Sequence, residues 1–188
     1  IHDLKKIIAM CPKDRQTLLF SATMPKSISD LAQQFLRDPA MVSVTPESTT
    51  AERVDQAVIH VANGDKIRLL EDVIHAHNID RALVFTRTKH GADKVVRKLV
   101  AKGIEAKAIH GNKSQPQRTK ALEACISGTC RVLIATDIAA RGIDIDGVSH
   151  VFNFEMPNVP EQYVHRIGRT ARAGKDGLAL SFVAEDEL

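Results

Sequence analysis

The chain has 188 residues, 44% hydrophobic and 26% charged, a balance that excludes a disordered chain and fits one folded domain with an appendage. A formal net charge of +3 is too weak to select a partner, so any polyanion has to be met by a local cluster of cations. Six Phe, one Tyr and no Trp argue against holding single-stranded bases chiefly by ring stacking, and no apolar run approaches the roughly 18 residues of a membrane span.

Residues 1 to 45 read as the tail of a preceding domain. "LKKIIAM" (4–10) reads as a helix end, "QTLLFSAT" (16–23) as a strand and turn, "PKSISDLAQQFLRD" (25–38) as a helix started by Pro25, and "AMVSV" (40–44) as a short strand. The polar stretch 45 to 53, with Pro46, resembles an interdomain linker. The chain opens at Ile1 with neither Met nor a secretory signal, which suggests a piece of something longer. Cys11, Cys125 and Cys130 form no C-x-x-C pair, so neither a metal site nor a disulfide framework is expected, and a reducing cytosol is the simplest setting.

From residue 54 short β-branched runs alternate with amphipathic helical stretches. Strands are expected at 54–61, 81–87, 105–110, 131–136, 148–154 and 177–183. Between them, Ile67, Leu70, Val73, Ile74 and His77 share one helical face, and Ala92, Val95, Val96, Leu99 and Val100 share a second. A third helix starts at the N-cap Ser114 and runs through Leu122, Cys125 and Ile126, and a fourth covers 161–172. This pattern implies an α/β fold, a doubly wound parallel sheet over 54–188 with helices on both faces.

In that architecture ligands gather beyond the carboxyl ends of the strands. The polar residues of 86 to 89, His110 with Gly111, and Thr136 with Asp137 all fall there. A strand-end Thr or Asp is also a common turn former or cap, so each position alone is ambiguous; their agreement across three strands favours a site. "IHGNKSQPQR" (109–118) sets Gly111 and Lys113 before a helix amino end that carries Gln115 and Arg118, a place able to hold phosphate. It is not a P-loop, because no G-x-x-x-x-G-K-[ST] spacing is present. In "ATDIAARGIDIDG" (135–147) a carboxylate suited to a sugar hydroxyl and a glycine that lets phosphate approach stand close together. In "HRIGRTARAGKDG" (165–177), Arg166, Arg169, Arg172 and Lys175 recur at intervals of three: either a solvated helix face or guanidinium groups presented together to phosphate.

"SAT" (21–23), "ALVFTRTK" (82–89), "HGNKSQPQR" (110–118), "TDIAARGIDI" (136–145) and "HRIGRTAR" (165–172), in that order, resemble the later motifs of the DEAD-box RNA helicases, with wording similar to the bacterial RhlE-type subgroup. The resemblance implies a second RecA-like domain (54–188), a linker (46–53) and the tail of the first domain (1–45). It implies that Arg169 and Arg172 are arginine fingers toward ATP, with Gly142 and Asp144 also on the nucleotide and Asp144 at its ribose. Arg87, Thr88, Lys89, Gly111, Gln115, Arg118, Thr136 and Asp137 would line the RNA backbone. Ser21, Thr23, Arg141 and His165 would couple the two domains. ATP and Mg²⁺ would be bound mainly by the first domain, whose P-loop and D-E-A-D motifs this chain lacks, so the chain alone should not hydrolyse ATP. Residues 1 to 45 should pack on the domain or exchange with a second copy in a dimer.

One departure is Ala171, where the family pattern has glycine; a methyl group fits a helix, so only local repacking is expected. A non-catalytic RNA-binding scaffold and a DNA-directed helicase relative remain as alternative readings.

Overall fold

A computed structural model describes residues 2–21, 23–44, 54–171 and 176–187. The chain divides into two compact units, Ile1–Pro46 and Glu47–Leu188. The first holds helices α1 (His2–Met10) and α2 (Lys26–Phe35). Pro25 is the N-cap of α2 and its carbonyl accepts from Ile28 and Ser29, so the missing proline N–H falls where no helical bond is lost. The strands expected at 16–23 and 40–44 are absent among the described residues. Their backbone has no ladder partner there, and a lone apolar run cannot form a strand by propensity alone.

The second unit contains β1 (Val54–His60), α3 (Lys66–Ala76), β2 (Ala82–Phe85), α4 (Lys89–Val100), β3 (Ala106–Ile109), α5 (Gln115–Ile126), β4 (Val132–Ala135), α6 (Asp137–Ala140), β5 (His150–Asn153), α7 (Pro160–Ile167), β6 (Gly177–Val183) and a 3₁₀ turn (Glu185–Glu187). Its six strands are parallel in the order β1-β6-β5-β2-β4-β3. Alternation places Ala82 and Val84 of β2 with Leu70, Ile74, Val95 and Leu99 of α3 and α4 on one face. Leu83 and Phe85 meet Ala121 and Cys125 of α5 and Ala139 of α6 on the other. Both faces are covered, which is why β2 and β4 are buried throughout while the edge strand β1 is largely exposed.

Three helical faces are narrower than the sequence pattern implies. His77 lies past the end of α3, and Val100 and Ile126 occupy the exposed last turns of α4 and α5. The larger difference concerns α7, which stops at Ile167 instead of running to 172. Gly168 and Arg169 close the last turn onto Val164 and Arg166, and the Thr170 hydroxyl leaves the helix direction to donate to the Val148 carbonyl, at 2.5 Å. Gly177 permits this packing: a Cβ there would come within 2.2 Å of Thr170 Oγ1.

Ala171 is not helical but has φ +54°, the left-handed region that favours the family's glycine. The strain, about 1–2 kcal/mol, is offset in part by burial of its methyl group beside Val54, Ile167 and Ala179. The expectation of simple repacking within a helix is therefore corrected. The linker at 45–53 lies outside the described residues, as do Arg172 and Lys175.

Candidate functional site

Every strand of the second unit points its carboxyl end the same way, and the polar residues that follow them gather there. After β2, Thr86 is fully buried and its hydroxyl donates to the Thr88 carbonyl at 3.2 Å. The Thr88 hydroxyl accepts from Gly91 N at 3.0 Å and caps α4, so its side chain is engaged structurally. The Arg87 backbone N–H is held by Glu155 Oε2 at 2.6 Å, and its guanidinium lies 3.7 Å from Glu187 Oε1.

After β3, His110 is buried and its Nδ1 accepts from Asn112 N at 3.3 Å, so its Nε2 is the donor to Asp93 Oδ1 at 3.0 Å. Lys113 joins the same carboxylate oxygen at 3.0 Å, and Lys89 Nζ donates to Asn112 Oδ1 at 3.0 Å. Partial burial alone would raise the Asp93 carboxyl; hydrogen bonds from His110 and Lys113, with the Lys113 charge, outweigh it and hold the group below the ordinary range. The loop bearing Gly111 is thereby fixed on both sides.

After β4, Thr136 precedes α6, and the Asp137 carboxylate grips Arg166 with both oxygens, at 2.6 and 2.8 Å. Arg166 also donates to Asn153 Oδ1 (3.2 Å) and the Glu155 carbonyl (2.7 Å), and its guanidinium carbon stands 5.1 Å from the Phe85 ring centroid. At 1% exposure it is an internal brace joining the ends of β2, β4 and β5 to α7, not a member of a surface stripe. The regular spacing of Arg166 and Arg169 is thus not one helix face. Arg169 lies beyond α7 and donates to the Ile143 carbonyl at 2.8 Å.

A groove of about 440 Å³ brings together Arg87, Lys89, Gly111, Arg118, Thr136 and Asp137. Thr88 and Gln115 do not line it. A second cavity of about 40 Å³ gathers Arg141, His165, Arg166 and Arg169. Beside it Gly142 has φ +74° and open space where a Cβ would stand, and Asp144 is exposed. Arginines next to a side-chain-free approach fit a polyphosphate. Among the described residues no group of three or more His, Cys, Asp or Glu could hold a metal ion. Ser21 and Thr23 belong to the first unit, where the Ser21 hydroxyl donates to the Thr23 carbonyl at 2.5 Å.

Sequence reasoning missed Glu155, Asn153, Gln162, Lys66 and Glu187. Glu155 follows β5 and was accessible to the strand-end rule. Lys66 and Glu187 are 121 residues apart and carry no local signal. Lys66, 1% exposed, donates to the Phe154 and Phe182 carbonyls at 3.0 and 3.1 Å and to Glu187 Oε2. Burial would raise the Glu187 carboxyl, but hydrogen bonds from Lys66, Ala184 N and Met156 N, with the Lys66 charge, hold it below the ordinary 4.5. A depressed carboxyl stabilises the fold above its unfolded pKa, and that contribution is lost as pH falls through the folded one. Glu187→Gln should therefore cost about 3 kcal/mol at neutral pH, because Lys66 is left uncompensated. Its urea midpoint should also fall less steeply than the parent's below about pH 4.5.

Strand order, all-parallel pairing and a site at the carboxyl ends define a RecA-like α/β domain. The profile of the helicase conserved C-terminal domain matches residues 65–174, more than half of the chain. The chain belongs to that family, in its DEAD-box branch. It is 42% identical over 188 residues to an ATP-dependent RNA helicase CshA of Limosilactobacillus reuteri and 42% identical over 189 residues to the ATP-dependent RNA helicase RhlB of Pseudomonas syringae pv. tomato. All of this chain is covered in both matches, against 38% and 48% of those proteins, so it spans less than half of their length. Among solved structures, S. cerevisiae Dbp5 bound to RNA and ADP BeF3 superposes with TM-score 0.85 at 28% identity, over 98% of this chain and 49% of that one. A DEAD box protein of Methanococcus jannaschii gives 0.68 at 37% identity, over 100% of this chain and 50% of that one.

Proposed function

We propose that this domain is the RNA-holding and nucleotide-closing half of an ATP-dependent RNA helicase, acting in the cytosol as a RhlE-type member. The observation that carries the reading is the groove at the strand ends, where Arg87, Lys89 and Arg118 face a path open at Gly111. Cations and a bare backbone in one groove bind phosphates without choosing a sequence. The names of the CshA and RhlB relatives, and the RNA and nucleotide bound to Dbp5, support the assignment.

Arg169, with Arg172, is assigned to the terminal phosphate of ATP, and Asp144 and Gly142 to its ribose and approach. ATP supplies the phosphoanhydride whose hydrolysis releases the closed state. The protein's part is preorganised positive charge, with Arg141 and His165 shaping the edge that meets the first RecA-like domain. Mg²⁺ ligands are assigned to that first domain. Residues 1–45 are taken as its tail, 46–53 as the linker and 54–188 as the second domain. Phe20 (90% exposed), Val42 (88%) and Met41 (82%) support covering of the tail by the rest of the first domain or, in this chain alone, by a second copy.

The test is the ATPase rate of the full-length protein with no nucleic acid, with RNA and with DNA. Stimulation by RNA alone is expected. Equal stimulation by DNA transfers the reading to a DNA-directed relative, and RNA binding without turnover transfers it to a scaffold.

A further inference from the structure

Residues 89 to 131 hold ten Lys and Arg against three Asp and Glu, whereas the whole chain holds 26 against 23. The excess is therefore local. It falls at the β3 edge of the sheet, where α4 and α5 pack against β3 and β4 on opposite faces. The cations are presented to solvent. Lys94, Arg97 and Lys98 on α4 and Lys107 on β3 are exposed, and among the described residues none of the four has a carboxylate within ion-pair distance. Of the three acids, Asp93 is already committed to His110 and Lys113.

A lone edge lysine is a common guard against strand pairing, and that accounts for Lys107. It does not account for three more unpaired cations on the neighbouring helix. Lys94, Arg97 and Lys98, three and four residues apart, share an exposed face of α4, whose first residue Lys89 lines the groove and which runs about 18 Å away from it.

Resting on the RNA reading above, we infer that this cationic flank of α4 is a second RNA-backbone surface, holding the part of a longer RNA that has left the groove. Flexible lysines on a convex surface read charge, not bases, so the ligand class is the phosphate backbone of flanking RNA.

The experiment is fluorescence anisotropy with the 188-residue chain and two RNAs, a short oligouridylate that fills the groove and the same strand extended by a hairpin, across a salt series. In the variant Lys94→Gln/Arg97→Gln/Lys98→Gln, affinity for the extended RNA should fall at least about tenfold at low salt. Its log–log salt slope should shrink by about 2 to 3, at roughly 0.7 to 0.9 per lost phosphate contact. Short-RNA affinity should change less than about twofold, and exchanging each Lys for Arg and Arg97 for Lys should restore the extended-RNA affinity. Equal affinities and slopes for variant and parent on both RNAs keep the groove and overturn the flank. So does an unchanged RNA slope with lost binding of a polyglutamate peptide, which assigns the surface to an acidic protein. A chain that binds neither RNA overturns the proposed function and the flank together.

Discussion

Replacing Arg166 with alanine is expected to lower the melting temperature of the chain by on the order of 10 °C, from a loss of about 3–5 kcal/mol. The size follows from what the side chain leaves behind. Asp137 would keep a carboxylate with neither of its 2.6 and 2.8 Å partners, and Asn153 Oδ1 and the Glu155 carbonyl would each lose a donor. Arg166→Lys keeps the charge but cannot engage both carboxylate oxygens and Asn153 from one planar fork, so most of the loss should persist. Because the brace ties together the ends of β2, β4 and β5, RNA affinity should fall with it. Thermal unfolding by circular dichroism checks the first outcome; an unchanged transition would mean that the guanidinium is not the buried partner described.

Arg169→Ala in the full-length protein is expected to lower kcat for ATP by about 10³-fold or more while RNA binding persists, the scale found when a guanidinium that stabilises a transferring phosphoryl group is removed. Arg169 is held at the Ile143 carbonyl, on the lip of a small cavity shared with Arg141 and His165, so it is ordered without being buried like Arg166. Two arginines three residues apart should thus fail differently. Arg166→Ala loses stability, and Arg169→Ala loses turnover. Steady-state ATPase assays on folded Arg169→Ala protein separate the two; equal rates in variant and parent would reject the assignment.

Much of the fold was legible because a parallel sheet buried on both faces leaves continuous apolar runs, and the helices between them carry a clear face. The position of the candidate groove was legible because polar residues follow the strands there: Arg87, Gly111, Thr136 and Asp137 all lie at carboxyl ends and line it. Glu155, just past β5, carries the same strand-end signal. What could not be read was whether a polar residue faces a ligand or its own protein. Thr88 caps α4 and Asp137 clamps Arg166, and neither choice is encoded within a few residues. The spacing of the late arginines misled for the same reason, since the end of α7 is set by packing of Thr170 on Val148 and Gly177. Lys66 with Glu187 is the extreme case, because its partners meet only when both sequence ends of the domain are in place.

The most direct measurement of the strand-end account is an amide chemical-shift map of the chain titrated with a short single-stranded RNA. Shifts concentrated at Arg87, Gly111, Thr136 and Ile138 are predicted, with Ser149 and His150, at the amino end of β5, unmoved. Shifts centred on Ser149 and His150, with the groove silent, would contradict it.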